Sequence, residues 1–429
     1  MTAAISAYPG MSRARWSMIA VVLLGFLLST DLTLTTLLIE PMKRDMQLTD
    51  VQIGLLQGTA FGLSFALCSI PSGLLIDRTS RKNILVCAVL IWIVSMAGTA
   101  LAHSLVGLIV CRIGLGIVFA LVIPASLSLI ADLFPPERRS VATSMFAVGQ
   151  ATGQAFGILA GGLAFDFLTG SEREIFSLTP WRALYLMAAL LAAGLLLPTL
   201  LLREPERQEQ QPRGQHHGLR KLWPFRGFLL PLWGAMLFSQ ICFQAAVVWS
   251  APILIRSHGL TPGEFAGWLS AITLLGGVVG ALLGGQSAEW GRRRLGRPGV
   301  LVPGLVAALA TAPLSLFALA LNVPLFATLL ALNLLMGAVV ATIGAVAITL
   351  NIPNDVRGFA IGTNVFISAA FGAATAPVLI AHLGSVLGGD AWLGTAIAGV
   401  SLPSSLLAAV FFALAIRGSR LIARELPGA

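Results

Sequence analysis

Long apolar blocks, separated by short polar stretches, organise this chain from end to end. A block of about 20 apolar residues is long enough to cross a bilayer as a helix. Twelve such spans are predicted, at about 16–39, 51–76, 84–102, 105–130, 140–168, 181–202, 227–255, 264–288, 300–321, 324–350, 359–386 and 392–416. Pro71, Pro124, Pro252 and Pro377 fall inside spans, and membrane helices tolerate proline better than soluble ones.

Composition agrees: 57% of the residues are apolar and 10% charged, too little charge for the surface of a soluble protein of this size. The first residues lack the pattern of a cleaved signal, so the first span reads as permanent. Cys68, Cys87, Cys111 and Cys242 all lie within spans and read as small buried apolar residues, without metal-ligand spacing. The net charge of +9 does not point to nucleic acid, because 21 of the 27 Lys and Arg fall at the termini and in alternate loops on one side. That asymmetry places both termini in the cytoplasm of a cell whose inner membrane holds the chain. Anionic lipid heads are the partners it suggests.

Residues 203–226 are rich in Arg, Glu, Gln and Pro and separate six spans from six. The reading is a bundle over 1–202, a cytoplasmic linker over 203–226 and a second bundle over 227–429. The halves repeat one another. Arg44, Leu48 and Thr49 recur as Arg256, Leu260 and Thr261; Gly73, Asp77, Arg81 and Lys82 as Gly285, Glu289, Arg293 and Arg294; Pro135, Arg139 and Ala142 as Pro353, Arg357 and Ala360. Such duplication is a common design of secondary transporters. Glycines four apart mark one smooth face on the second span (Gly54, Gly58, Gly62), the fifth (Gly149, Gly153, Gly157, Gly161) and the eighth (Gly276, Gly280, Gly284), and more weakly on the eleventh (Gly358, Gly362). These faces serve either general packing or two seams between the halves.

Two charges interrupt apolar spans: Asp31 in the first and Arg112 in the fourth. An ionised side chain at mid-membrane costs about 2.5–3.5 kcal/mol even on lenient scales, so each is a functional candidate. Counting from the span ends, both lie about 13 Å below the outer interface, which makes a pair feasible. Thr30 and Thr33 flank Asp31. Amides recur at one-turn spacing as Gln150 and Gln154, and as Gln240 and Gln244; Gln57, Asn333 and Asn364 are single, and Trp249 lies two turns from Gln240. These are candidate substrate-cavity residues, or equally interhelical hydrogen bonds of about 0.6 kcal/mol. No Lys-Ser/Thr phosphate loop or Cys/His cluster occurs, so neither ATP-driven transport, nor a metal, nor enzymatic catalysis is expected.

Gly73-Leu-Leu-Ile-Asp77-Arg78-Thr-Ser-Arg81-Lys82 resembles the loop signature of the major facilitator superfamily, and Arg112-x-x-x-Gly116 a second motif of it. Within it, Gly54-Leu-Leu-Gln57, Ala131-Asp-Leu-Phe134 and Ile255-Arg-Ser-His-Gly259 are similar to the Spinster-like transporters. The resemblance implies an all-α membrane fold of two pseudo-symmetric six-helix bundles around a cavity open to each side in turn. It implies a cytoplasmic gate from Gly73, Asp77, Arg78, Arg81 and Lys82, with Asp77 near the eleventh helix and Glu289 near the fifth. Phe119 stands where the family has a glutamate, and Leu32 where it has an arginine. The expected activity is secondary transport by a monomer without cofactors, the proton being the coupling ion at Asp31 and Arg112. The expected substrate is a small amphipathic or anionic, lysolipid-like molecule, exported by antiport. Uniport or import without proton coupling is the alternative.

Overall fold

The computed structural model describes residue 8 and residues 11–170, 178–205 and 221–425. Twelve described helices are long and apolar enough to cross a membrane. They are α1 (Ala14–Leu37), α2 (Asp50–Ser69), α3 (Arg81–Leu101), α4 (Leu105–Leu133), α5 (Glu137–Gly170), α6 (Pro180–Leu200), α7 (Trp223–His258), α8 (Pro262–Leu295), α9 (Arg297–Leu319), α10 (Val323–Asn351), α11 (Val356–Leu387) and α12 (Asp390–Leu421). Among the described residues there is no strand. In hydrocarbon every backbone N–H and C=O needs a partner, and a helix supplies them from within. Most of the expected linker, residues 206–220, lies outside the described residues.

The duplication extends to the helix ends. Thr49 and Thr261 occupy matching positions before α2 and α8. The Thr49 amide donates to Gln52 Oε1 (2.8 Å), and the Thr261 amide donates to Glu264 Oε2 (2.7 Å). Ser104 and Asn322 cap α4 and α10, accepting from the amides of Gly107 (3.2 Å) and Leu325 (2.9 Å). Arg139 Nε donates to the Phe134 carbonyl and Arg357 Nε to that of Ile352, so each closes the end of the preceding helix. Each cap satisfies a group that the helix itself leaves orphaned.

The chain forms two compact units. The first comprises Met1–Leu48, Ala60–Arg213 and Thr261–Ser270; the second comprises Thr49–Thr59, Gly214–Leu260 and Ala271–Ala429. Each unit therefore holds most of one sequence half and a short helical start from the other. Phe228, Leu232, Val340, Ile343 and Phe412 belong to the apolar core of the second.

The glycine faces only partly follow the expected seams. On α5, Gly149, Gly153 and Gly157 meet Val22, Phe26 and Thr30 of α1, within one half. On α8, Gly276, Gly280 and Gly284 meet α10, again within one half. Only α2 meets the other half through its glycine face: a Cβ on Gly54 would lie 2.8 Å from the Pro377 carbonyl oxygen of α11. Glycines one turn apart signal a close approach but not which helix approaches. Wide π-type turns occur at Leu55–Leu63 in α2 and Ser368–Ala373 in α11, and the Thr59 hydroxyl donates to the Ala374 carbonyl (3.2 Å).

Gly153 and Gly358 make contrasting tests. A Cβ at Gly153 would lie 2.7 Å from the Phe26 carbonyl carbon, whereas one at Gly358 meets nothing within 4 Å. Gly153→Ala is expected to lower thermal stability in detergent, by about 1–3 kcal/mol from overpacking. Gly358→Ala is expected to be neutral or stabilising by up to about 1 kcal/mol.

Candidate functional site

Asp31 and Arg112 are 2% and 3% exposed. The direct pair expected from their depths is not formed. Among the described residues neither Asp31 carboxylate oxygen has a hydrogen-bond partner. Arg112 Nη2 instead donates to the Tyr185 hydroxyl (2.6 Å), and its guanidinium carbon lies 5.7 Å from the centre of that ring. The Tyr185 hydroxyl donates to Thr35 Oγ1 (2.9 Å), and the Thr35 hydroxyl donates to the Asp31 carbonyl (3.0 Å). A chain of hydrogen bonds thus runs from the α4 guanidinium through α6 to the α1 backbone. It ends beside a carboxylate that accepts none of it.

Tyr185 owes its place to the end of α6. Asp45, on the short helix Ile39–Met46, accepts from Trp181 Nε1 (3.0 Å) and Arg182 Nε (3.3 Å). Arg182 Nη1 donates to the carbonyls of Ala100 (2.9 Å) and Ala102 (2.6 Å) at the end of α3. The Trp181 ring meets Tyr185 edge-on, with centroids 6.1 Å apart. The spacing of spans could not single out Tyr185. Its signal is a phenol inside an apolar span, in a chain with only two tyrosines.

The neighbours of Asp31 have other work. The Thr30 hydroxyl donates to the Gly153 carbonyl (3.0 Å) and that of Thr33 to the Gln154 carbonyl (2.9 Å). Both threonines, expected on the cavity, therefore fasten α1 to α5. Phe119 packs edge-on against Phe61, centroids 5.0 Å apart, so this position is apolar. Trp249 is fully buried, and its indole nitrogen has no hydrogen-bond partner among the described residues. Gln57 and Asn333 are buried; Gln150, Gln154, Gln240, Gln244 and Asn364 are half-buried. Gln150 lies beside Gly25, and Gln240 beside Gly372.

At the other end of the first bundle, Arg81 is 1% exposed. It pairs with Asp132, donates to Glu204 through Nε (3.1 Å), and reaches the Ser128 and Pro205 carbonyls. Glu204 also accepts from the Ser80 hydroxyl and the Arg81 amide (2.8 Å), so it caps α3. Burial pushes its carboxyl up. The hydrogen bonds from Ser80 and Arg81, with the charge of Arg81, outweigh burial and hold it below the ordinary carboxylate range. Arg81 was expected at a gate; the sequence reading missed both acidic partners. Of the other gate residues, Gly73 has open space around it, Arg78 is exposed and Lys82 half-buried. The Asp77 side chain lies outside the described residues. Glu289 pairs with Arg292 and Arg293 of its own helix at 2.7 Å, since three arginines follow within one turn. At the opposite ends, Asp166 of α5 accepts from the Thr261 hydroxyl (2.7 Å) and the Gly263 amide (3.0 Å) at the start of α8. Arg256 of α7 grips Asp50 of α2 through two 2.7 Å bonds.

Residues 21–309 match the sequence profile of the Major Facilitator Superfamily. An MFS-type efflux pump of Mycolicibacterium smegmatis is 26% identical over 288 residues, covering 65% of this chain and 63% of that protein. The chain thus matches less than two thirds of that relative's length. A probable sulfoacetate transporter of Cupriavidus necator, SauU, is 26% identical over 65% of this chain and 67% of its own. A bacterial homologue of the human lysosomal transporter Spinster superposes with a TM-score of 0.79 at 21% identity, over 97% of this chain and 98% of that one. At that identity the likeness is one of fold.

Two tests address these clusters. Tyr185→Phe strips Arg112 of its hydroxyl acceptor while keeping the ring. Thermal unfolding should show a loss of about 1–3 kcal/mol, the cost of an orphaned buried donor. For Glu204, a depressed carboxyl contributes stability that is present above the ordinary carboxylate range and lost as pH falls through the lower folded value. Glu204→Gln should therefore melt below the native chain at neutral pH, and the gap should close as the solution is acidified past that range.

Proposed function

We propose that this chain, which belongs to the Major Facilitator Superfamily, carries a small organic anion across the membrane by alternating access, in exchange for protons. Arg112 receives the negative charge of the substrate and Asp31 takes the proton. The observation that carries this reading is the state of Arg112. Its guanidinium is buried inside a span, and the acceptor it holds is a neutral phenol. Among the described residues no carboxylate lies within ion-pair distance of it. A buried cation without a counter-charge is costly, and an anionic substrate would supply that charge at the moment of binding. One relative is named a probable transporter of sulfoacetate, which is such an anion, and another an efflux pump, which supports outward transport.

Asp31 supplies the coupling. Its carboxylate accepts no hydrogen bond, so neither protonation nor a passing cation has a stronger partner to displace. The aromatic pair of Phe119 and Phe61 leaves Asp31 as the acid of this region. That same pair is what favours the rival reading of uniport, because an apolar side chain stands where the family resemblance implies a second carboxylate.

Reconstitution in proteoliposomes tests this. With an imposed pH gradient, Asp31→Asn should lose uphill transport of organic anions at least tenfold while retaining anion counterflow. Arg112→Gln should lose both. Unchanged gradient-driven flux in Asp31→Asn would put the proton coupling at a different residue, and a native chain whose flux does not respond to the pH gradient would establish uniport. A lysolipid competing as strongly as short organic anions would move the substrate class.

A further inference from the structure

Inside the second unit lies a cavity lined by Ser239 and Cys242 of α7, Thr311 of α9, Asn333 and Gly337 of α10 and Ser405 of α12. It gives room of about 10 Å³ for the centre of a water molecule, too little for an organic substrate or an acyl chain. Its polar groups are not spent alike. Asn333 is 2% exposed, and its amide nitrogen has no partner among the described residues; the Ser239 hydroxyl has none either. The Thr311 hydroxyl donates to the Ala307 carbonyl (2.8 Å) and that of Ser405 to the Leu402 carbonyl (2.8 Å). Each of those two oxygens keeps lone pairs that a hydrogen-bond donor can use.

We infer that this cavity is a binding site for a water molecule shared by four helices. Ser239 and Asn333 donate to it, and it donates to Thr311 and Ser405. Two donors and two acceptors are the complement of one water, which buried sites usually hold by about three hydrogen bonds. A metal cation does not fit the same set, because the amide N–H of Asn333 would point at it and no carboxylate lines the cavity. An apolar group would leave both donors orphaned. The water would tie α7, α9, α10 and α12 together at mid-bundle, where α7 carries Gln240 and Gln244 one position and five positions past Ser239. The site is independent of what the protein transports.

A structure of the full chain in lipid, at a resolution that shows ordered solvent, gives the direct test. A water-sized density within about 2.7–3.2 Å of both Ser239 Oγ and Asn333 Nδ2 is expected; a dry cavity overturns the inference. Thermal unfolding of Ser239→Ala, Asn333→Leu and the double variant gives a second test. Both donors serve one water, so the double variant should lose clearly less than the sum of the single losses. Strict additivity overturns the shared water. Repeating the melts with sodium exchanged for potassium at constant ionic strength should change nothing, and a stabilisation specific to one ion would make the ligand a cation instead.

Discussion

Everything in this fold answers to one constraint: a polar group out of reach of water must find its partner within the protein. The backbone meets it by running in helices. Side chains meet it case by case. Arg81 is buried yet satisfied by Asp132, Glu204 and two carbonyls, so it is a finished structural node. Arg112 is as deeply buried but its hydrogen-bond acceptor is a neutral hydroxyl, and no carboxylate among the described residues is in ion-pair contact with it. Taking two opposite charges out of water costs more than geometry alone returns unless each is fully hydrogen-bonded. The first arginine is satisfied by the fold itself, and the second is the one the proposed function draws on.

The same constraint explains the small residues. Where glycine removes a side chain, the neighbouring backbone comes close enough for a threonine hydroxyl to reach it. Thr30 and Thr33 do this on α5, sharing their hydroxyls between carbonyls of their own helix and those of Gly153 and Gln154. α1 and α5 are thereby fixed to each other, and Asp31 rides on the fixed pair. Thr30 and Thr33, which flank Asp31, hold this contact.

The spans were legible because hydrocarbon thickness sets a length and a composition that a linear pattern displays. The duplication was legible because caps need particular residues at particular offsets, and Thr49 with Thr261, or Arg139 with Arg357, do the same job in both halves. Partner choice was not legible. Equal depth made Asp31 and Arg112 look paired, but depth leaves the rotation of each helix free, and Tyr185 from a third helix lies between the guanidinium and α1. Glycine spacing likewise announced a close approach while staying silent on the partner. Asp132 and Glu204 were hidden for the opposite reason: at span ends a carboxylate is ordinary, and only the fold shows that two of them converge on Arg81.

Tyr185 is held more firmly than what it holds. Trp181, Arg182 and Tyr185 share one face of α6, being three and four residues apart. Asp45 secures the first two, and Arg182 is further bonded to the end of α3. Thr35 secures the hydroxyl itself to α1. α6 is thus fastened at two depths, by Asp45 to the short helix that follows α1 and by Thr35 to α1 itself within the span. Arg112 on α4 joins that clamp through a single hydrogen bond and the face of one ring. Among these contacts it is the one whose loss disturbs the fewest others, and it belongs to the group with an unmatched charge. In the proposed cycle, a negative charge entering beside it would draw the guanidinium off Tyr185 without loosening α1 or α6. That leaves Asp31, on the rigid side of the clamp, to feel the change in its neighbour's position.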